Sequence, residues 1–367
     1  MKKNILSITV LAILMGSSSF AIAAHHASSD NQVMLKYLEF SEMGIPADVI
    51  KVKEYSPQAL KSGEVRVKVL AAPINPSDLL QISGKYGTDP VLPSNPGSEG
   101  VGRVTEISSE VKNLKVGQLV LLASGGTWRE EMVAPAIGFL PLPNLGPLSD
   151  EVIEQLAMSA VNPLTALLML TSFVDLKEGQ WIAQSAANSA VGGYVIQLAK
   201  QRGIKTVNIV RREGLAEELK SKGADVVLID GPDLASQIAK ATNNAPVMLA
   251  LDPVGGKTYS RLANSLGYSG TLVTYGVLSG QPAVLNTGNL ISNDTRLRGF
   301  WLYKWYQSAD MKTKQAAFGQ VIPLIVNGTL KANIDSRYSV GEIKQAVTRA
   351  AESGRNGKVL IVPSMRK

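Results

Sequence analysis

The chain has 367 residues, 45% hydrophobic and 18% charged, with 33 Gly and 18 Pro, the make-up of a globular protein long enough for two domains. It has no cysteine, and its only histidines are His25 and His26, which excludes disulfides, thiol nucleophiles, iron–sulfur clusters, Cys- or His-based zinc sites and any His-containing triad in the body of the chain. The formal charge is +7, from 37 basic and 30 acidic residues spread along the sequence; no basic run suggests nucleic acid, and the mild positive balance suits an anionic cofactor or substrate.

Lys2-Lys3, the apolar run from Ile5 to Met15 and the small-residue pattern Ala21-Ile22-Ala23 form the three parts of a secretory signal peptide over 1–23. The run is shorter than the roughly 20 residues of a membrane-spanning helix. No Cys follows for a lipid anchor and no twin arginine precedes the run, so the expectation is export to a periplasm or the exterior without a stable membrane anchor. Met34-Leu35-Lys36-Tyr37 offers a second start, which would give a cytoplasmic form.

From 33 to 161 the sequence reads as short strands between Gly and Pro turns. Glu64 to Leu70 and Val101 to Ile107 alternate as half-buried antiparallel strands do, while Pro73, Pro76, Pro90, Pro93 and Pro96 forbid long central strands around them. The character changes near Asn162. Trp181 to Gln184 reads as a short buried strand, followed by a small-residue loop from Ser185 to Ala190 and a helix from Val191 to about Gln201. Then come a strand at Thr206–Val210, a helix at Leu215–Lys222, and strands at Asp225–Ile229, Val247–Leu251, Gly270–Tyr275 and Leu297–Leu302. Strands alternating with helices at this spacing imply an α/β fold with a doubly wound parallel sheet over 162–302. The tail from Met311 to Lys367 holds one or two helices and a closing strand, Lys358–Val362.

In a dinucleotide fold the first strand-to-helix turn lets backbone amides touch a pyrophosphate, so it needs small residues. Here the turn is Ala187-Asn188-Ser189-Ala190-Val191-Gly192-Gly193. Only Gly192 matches the glycine fingerprint, with Ala187 and Ser189 at the other two positions. Arg211-Arg212 follow the second strand directly, with no acid before Glu213. NAD sites place an acid there for the ribose 2′-hydroxyl, whereas a 2′-phosphate calls for arginine, so the cofactor expected is NADPH rather than NADH.

Ala71 to Asp78, Gly97-Ser98-Glu99-Gly100-Val101-Gly102 and Asn162-Pro163-Leu164-Thr165-Ala166 resemble the zinc-free medium-chain dehydrogenase/reductases. Within these, Ile82 to Gly87, Gly126-Thr127-Trp128-Arg129, Ala186 to Ser189 and Arg298 to Leu302 are similar to mitochondrial-type trans-2-enoyl thioester reductases. The resemblance runs from Val33 to about Val362. It implies a GroES-like β-rich catalytic domain over 33–161 and 303–367, a Rossmann NADPH-binding domain over 162–302, and a homodimer. It assigns the proton donor to Tyr86. It places Asn162, Asn188, Ser189, Ala190, Val191, Arg211, Arg212, Tyr275, Gly276, Val277, Leu278, Phe300, Trp301, Leu302 and Lys358 at the cofactor, with Glu213 beside the arginines, and Asn75, Trp128 and Trp301 at the substrate cleft. Ala190 stands where a glycine is usual, and Asp252 where relatives commonly carry Asn.

The chemistry agrees with Tyr86. Hydride addition to Cβ of an enoyl thioester leaves an enolate, which needs a proton at Cα. A phenol of ordinary pKa near 10 can supply it where His and Cys are absent. The expected activity is NADPH-dependent reduction of an activated C=C bond, most simply a trans-2-enoyl thioester. A quinone or enone reductase, and an exported non-catalytic protein retaining the fold, are the alternatives.

Overall fold

The computed structural model describes residues 34–365. The 1–23 leader read from the sequence lies outside the described residues.

Residues 181–299 build a six-stranded, all-parallel sheet in the order Val226–Ile229, Lys205–Val210, Trp181–Gln184, Val247–Asp252, Leu266–Thr274, Arg296–Gly299. Numbered along the chain this order is 3-2-1-4-5-6, the dinucleotide-binding arrangement, with its switch point between Trp181–Gln184 and Val247–Asp252. The central strands Trp181–Gln184 and Val247–Asp252 are mostly apolar and buried because helices such as Ala190–Gln201 and Gly256–Ala263 cover the sheet, whereas the edge strand Arg296–Gly299 is largely exposed. The edge strand ends at Gly299, and Leu302 begins a helix, Leu302–Ser308, so the strand expected through Leu302 is shorter.

A second, mostly antiparallel sheet runs Ile334–Tyr338, Lys358–Ile361, Glu64–Pro73, Gly100–Ile107, Leu119–Leu122, Phe139–Pro141, with Glu131–Pro135 also paired to Glu64–Pro73. The C-terminal strand Lys358–Ile361 thus lies against Ala72 and Pro73, nearly 300 residues earlier in the sequence. Glu64–Pro73 extends past the expected Leu70 because its last residues, Ala71 and Ala72, are buried between neighbours.

The helices Asp150–Ala157 and Asn162–Ser172 have no counterpart in the reading from sequence. Asn162 to Leu170 is buried all round, as befits a helix enclosed on every side, and such a run lacks the amphipathic period that marks a surface helix. The core around it takes side chains from both sheets, including Ala71, Val101, Leu249 and Leu360. Among the described residues no single helix is long and apolar enough to cross a membrane; these two helices are bent by 56° from each other.

Candidate active site

Tyr86 stands on a loop whose geometry is set by the end of the preceding helix, Pro76–Ile82. Gly84 lies in the left-handed region (φ +69°) just past that end, and the Lys85 amide donates back to the Leu80 carbonyl at 2.8 Å. The next residue, Tyr86, is half-buried, and the indole N–H of Trp301 donates to its phenol oxygen at 3.0 Å. The two rings meet edge to face, 5.7 Å apart at 77°, and Tyr303 lies 5.1 Å from Trp301 on the same cluster. Burial lifts the Tyr86 phenol above its ordinary pKa; the Trp301 bond opposes this, and Asp78 and Tyr303 reinforce it. At neutral pH Tyr86 is therefore a phenol with a proton to give. Nearby, Phe300 stacks edge to face on Phe173 at 6.1 Å, with the Arg298 guanidinium 5.7 Å over Phe173.

The turn from 185 to 190 has the shape its small residues imply. Ala186 is left-handed (φ +48°), the buried Ala187 amide donates to the Ile209 carbonyl at 3.2 Å, and Ser189 caps the helix by accepting from the Gly192 amide at 3.1 Å. A methyl on Gly192 would meet the Ala187 carbonyl oxygen at 2.5 Å, so the helix can pack this close only with glycine there. Gln184, inside the sheet, donates to the Gly192 carbonyl at 3.0 Å and holds helix and turn together. Asn188 is exposed at the mouth of the turn, with Ala190 and Val191 half-buried behind it. At the switch point the Ser185 hydroxyl donates to Asp252, whose other oxygen accepts from the Gly255 amide at 2.7 Å. The departure at Asp252 is thus absorbed by donors of the chain itself.

Arg211, Arg212 and Glu213 are exposed after the second parallel strand, and neither arginine forms an ion pair among the described residues. Tyr275 buries its hydroxyl beside the Ser189 side chain, while Val277 and Leu278 are 70% and 61% exposed. A small-residue turn at a helix N-terminus and two free guanidinium groups after the neighbouring strand fit a phosphorylated dinucleotide.

Asn75, Asn162 and Lys358 meet in the interior. The Lys358 ammonium donates to Asn75 Oδ1 at 2.5 Å, and Asn162 Nδ2 donates to the same oxygen at 3.1 Å. Asn75 Nδ2 donates to Glu99 Oε1 at 2.9 Å. The backbone amide of Asn75 donates to Asp78 at 2.7 Å, closing the helix start. Burial raises both carboxyls, Asp78 to about 6, and lowers the Lys358 ammonium; Lys358 and the two acids each oppose that tendency in the other. Glu99 and Asp78 had not been singled out from the sequence. The signal available was a lone carboxylate in the otherwise small and apolar stretch Gly97 to Gly102. Trp128 differs from its expected place at the cleft: it is 1% exposed, packs in the core with Leu38, Phe40 and Ile82, and donates to the Pro73 carbonyl at 3.1 Å. Its indole is large and flat enough to be swallowed once its single N–H has an acceptor.

Two known families match parts of the chain. Residues 61–144 match the family described as alcohol dehydrogenase GroES-like domain, and 190–319 match the zinc-binding dehydrogenase family. The mitochondrial enoyl-[acyl-carrier-protein] reductase of Homo sapiens is 36% identical over 332 residues, covering 89% of this chain and 88% of that protein. Its counterpart from Caenorhabditis elegans is 44% identical over 268 residues, 71% of this chain and 75% of that one. Among solved structures, the Etr1p/NADP/crotonyl-CoA complex superposes with a TM-score of 0.82 at 29% identity, covering 90% of this chain and 100% of that one. An NADPH:quinone reductase from Bacillus thuringiensis superposes with a TM-score of 0.80 at 30% identity, covering 90% and 99%.

Proposed function

This chain belongs to the medium-chain dehydrogenase/reductases, among the mitochondrial-type enoyl-[acyl-carrier-protein] reductases, and we propose that it reduces the C=C bond of trans-2-enoyl thioesters with NADPH. The observation that carries this reading is the Trp301 N–H bonded to the Tyr86 phenol, which builds a proton donor in a protein whose only histidines are His25 and His26.

NADPH, when bound, supplies the hydride to Cβ. Within Asn188 to Val191 the amides of Asn188, Ala190 and Val191 would hold its pyrophosphate while that of Ser189 is bonded to the Ala186 carbonyl at 2.9 Å, and Arg211 and Arg212 would pair with its 2′-phosphate, with Glu213 as a mild opponent. Tyr275 to Leu278 and Phe300 to Leu302 would flank the nicotinamide, and Asn162 and Lys358 would reach the cofactor from the buried network. As the enolate forms, Tyr86 gives its proton to Cα, and the Trp301 N–H stabilises the phenolate left behind. The zinc of the matched family description has no Cys or body-of-chain His to bind it here, and this chemistry needs none.

The decisive assay is oxidation of NADPH by the purified protein with crotonyl or hexenoyl thioesters; no turnover of either would refute the proposal. The likeness to an NADPH:quinone reductase supports a second reading, reduction of a quinone or enone. It requires no phenol in its simplest form, so full quinone turnover by Tyr86→Phe together with no thioester turnover by the unaltered protein would favour it.

A homodimer is part of the proposal. It is supported by the parallel sheet's edge strand, Arg296–Gly299, which is largely exposed, and by exposed Val277, Leu278, Val284 and Ile291 in the segments between it and its neighbour strand. Sedimentation at the monomer mass would count against it. Export rests on Lys2-Lys3, the apolar run and Ala21-Ile22-Ala23, with initiation at Met34 as the cytoplasmic alternative. Cell fractionation with N-terminal sequencing separates the two.

A further inference from the structure

The buried hydrogen bonds around Asn75 have one direction only. Lysine is a donor without acceptors, and a carboxylate is an acceptor without donors. Between Lys358 and Glu99 the Asn75 carboxamide must therefore turn its oxygen to the ammonium and its nitrogen to the carboxylate, and it does, at 2.5 and 2.9 Å. Glu99 has a second task. Its Oε2 accepts from the amides of Ala160 and Val161 at 2.9 and 2.8 Å, the two residues leading into the helix that starts with Asn162. Asn162 closes the circuit by donating to the Asn75 oxygen. Asn75 and Glu99 are 1% and 0% exposed, so no water substitutes for a misplaced donor.

We infer that Glu99 is the positioning residue of this enzyme: it fixes the polarity of Asn75 and, through it and the Ala160–Val161 amides, the settings of Lys358 and Asn162. Neither Lys358 nor Asn162 is exhausted by the circuit. Lys358 uses one of its three N–H bonds on Asn75, and Asn162 uses one hydrogen of its amide. What remains would be offered to the cofactor, so the inference rests on the NADPH reading above. Glu99 itself touches no reacting atom; it acts through others.

The network can be inverted on paper. Glu99→Gln can still accept from the two amides through one oxygen, but its NH2 then faces the Asn75 NH2, donor against donor. Asn75→Asp alone sets a carboxylate against Glu99, acceptor against acceptor. Combined, Asn75→Asp with Glu99→Gln restores every bond: the Gln NH2 donates to the new carboxylate, whose other oxygen takes Lys358 and Asn162. The backbone amide of residue 75 keeps its bond to Asp78. The charge of the cluster is unchanged and only moves one residue toward Lys358.

The test measures NADPH affinity by nicotinamide fluorescence, and kcat and KM with crotonyl-CoA, for the two single variants and the double, with melting temperatures alongside. Each single variant is expected to weaken NADPH binding by about tenfold or more, the scale of one lost bond to a charged group, and the double variant to recover most of that loss. Single variants that fold and bind within about twofold of the unaltered protein would overturn the inference, since a purely structural role moves only the melting temperature. If the singles do not fold, the double decides: a folded double that binds normally supports the inference, and an unfolded or non-binding double overturns it. An unaltered protein that does not bind NADPH would instead count against the proposed function.

Discussion

The indole nitrogen of Trp301 and the phenol oxygen of Tyr86 lie 3.0 Å apart, although 215 residues separate them. The bond couples the nucleotide-binding half of the chain to the loop that carries the acid. Because burial raises the phenol's pKa and the indole bond opposes that rise, losing the indole makes Tyr86 a poorer donor. Trp301→Phe should lower kcat for thioester reduction by about 10- to 100-fold, the worth of a hydrogen bond to a charged oxygen. Tyr86→Phe should cost more, on the order of 10²- to 10⁴-fold, the range for general acid catalysis. Steady-state kinetics with crotonyl-CoA checks both, and a Tyr86→Phe enzyme of undiminished rate would remove Tyr86 from the chemistry.

Among the described residues Arg211 and Arg212 have no acidic partner, so their charges are available to a ligand. Replacing both with Ala should raise KM for NADPH by about 100-fold, two charge-assisted contacts' worth, and leave KM for NADH nearly unchanged. Glu213→Ala should shift NADPH affinity slightly the other way. Equal losses with both nucleotides would show that the arginines do not read the 2′-phosphate.

The parallel sheet is legible because its central strands Trp181–Gln184 and Val247–Asp252 are short, mostly apolar runs, and the alternation of strands with helices is regular. Trp181–Gln184 was placed to the residue, and Lys205–Val210 and Val247–Asp252 to within one at either end. The turn at Ala187 to Gly193 was legible from residue size, since few side chains other than small ones suit that packing. The helices Asp150–Ala157 and Asn162–Ser172 were not: the second is apolar on every face, and periodicity cannot distinguish an enclosed helix from a buried strand. Nor was the Lys358–Asn75–Glu99 circuit, which depends on a register between strands at opposite ends of the chain. Trp128 was misplaced for a related reason, because a motif fixes a residue's neighbours in sequence and not the side of the loop on which its ring is buried.

Asp78 gives the stability of the fold a specific dependence on pH. Its carboxyl is buried, and its pKa rises from 3.8 to about 6 in the folded protein. Between these values the folded chain binds more protons at this site than the unfolded chain does. The contribution of Asp78 therefore falls as pH rises through the window from about 4 to about 6, by on the order of 2–3 kcal/mol. Asp78→Asn keeps an acceptor for the Asn75 amide and removes the titration. Relative to the unaltered protein, the variant should gain stability on going from pH 4 to pH 7. Urea unfolding at both pH values measures it, and parallel changes in the two proteins would show that Asp78 does not titrate in this window.

Gly192 tests whether the turn holds its shape by close packing or only by sequence habit. A Cβ there would lie 2.5 Å from the Ala187 oxygen and 2.8 Å from the Ala187 Cα, both backbone atoms that no rotamer change can move. Neighbouring Gly193 has open space at the same test, so the two glycines separate sterics from helix propensity. Gly193→Ala should be neutral or slightly stabilising, as an alanine inside a helix generally is by up to about 1 kcal/mol. Gly192→Ala should destabilise by about 1–3 kcal/mol through overpacking, and should weaken NADPH binding because the turn from Asn188 to Val191 shifts with the Ala187 backbone. Thermal unfolding with and without NADPH reads both effects, since a ligand that binds only the folded state raises its melting temperature. If Gly192→Ala unfolds like Gly193→Ala and keeps the full NADPH-induced rise, the turn is not held by close packing at this glycine.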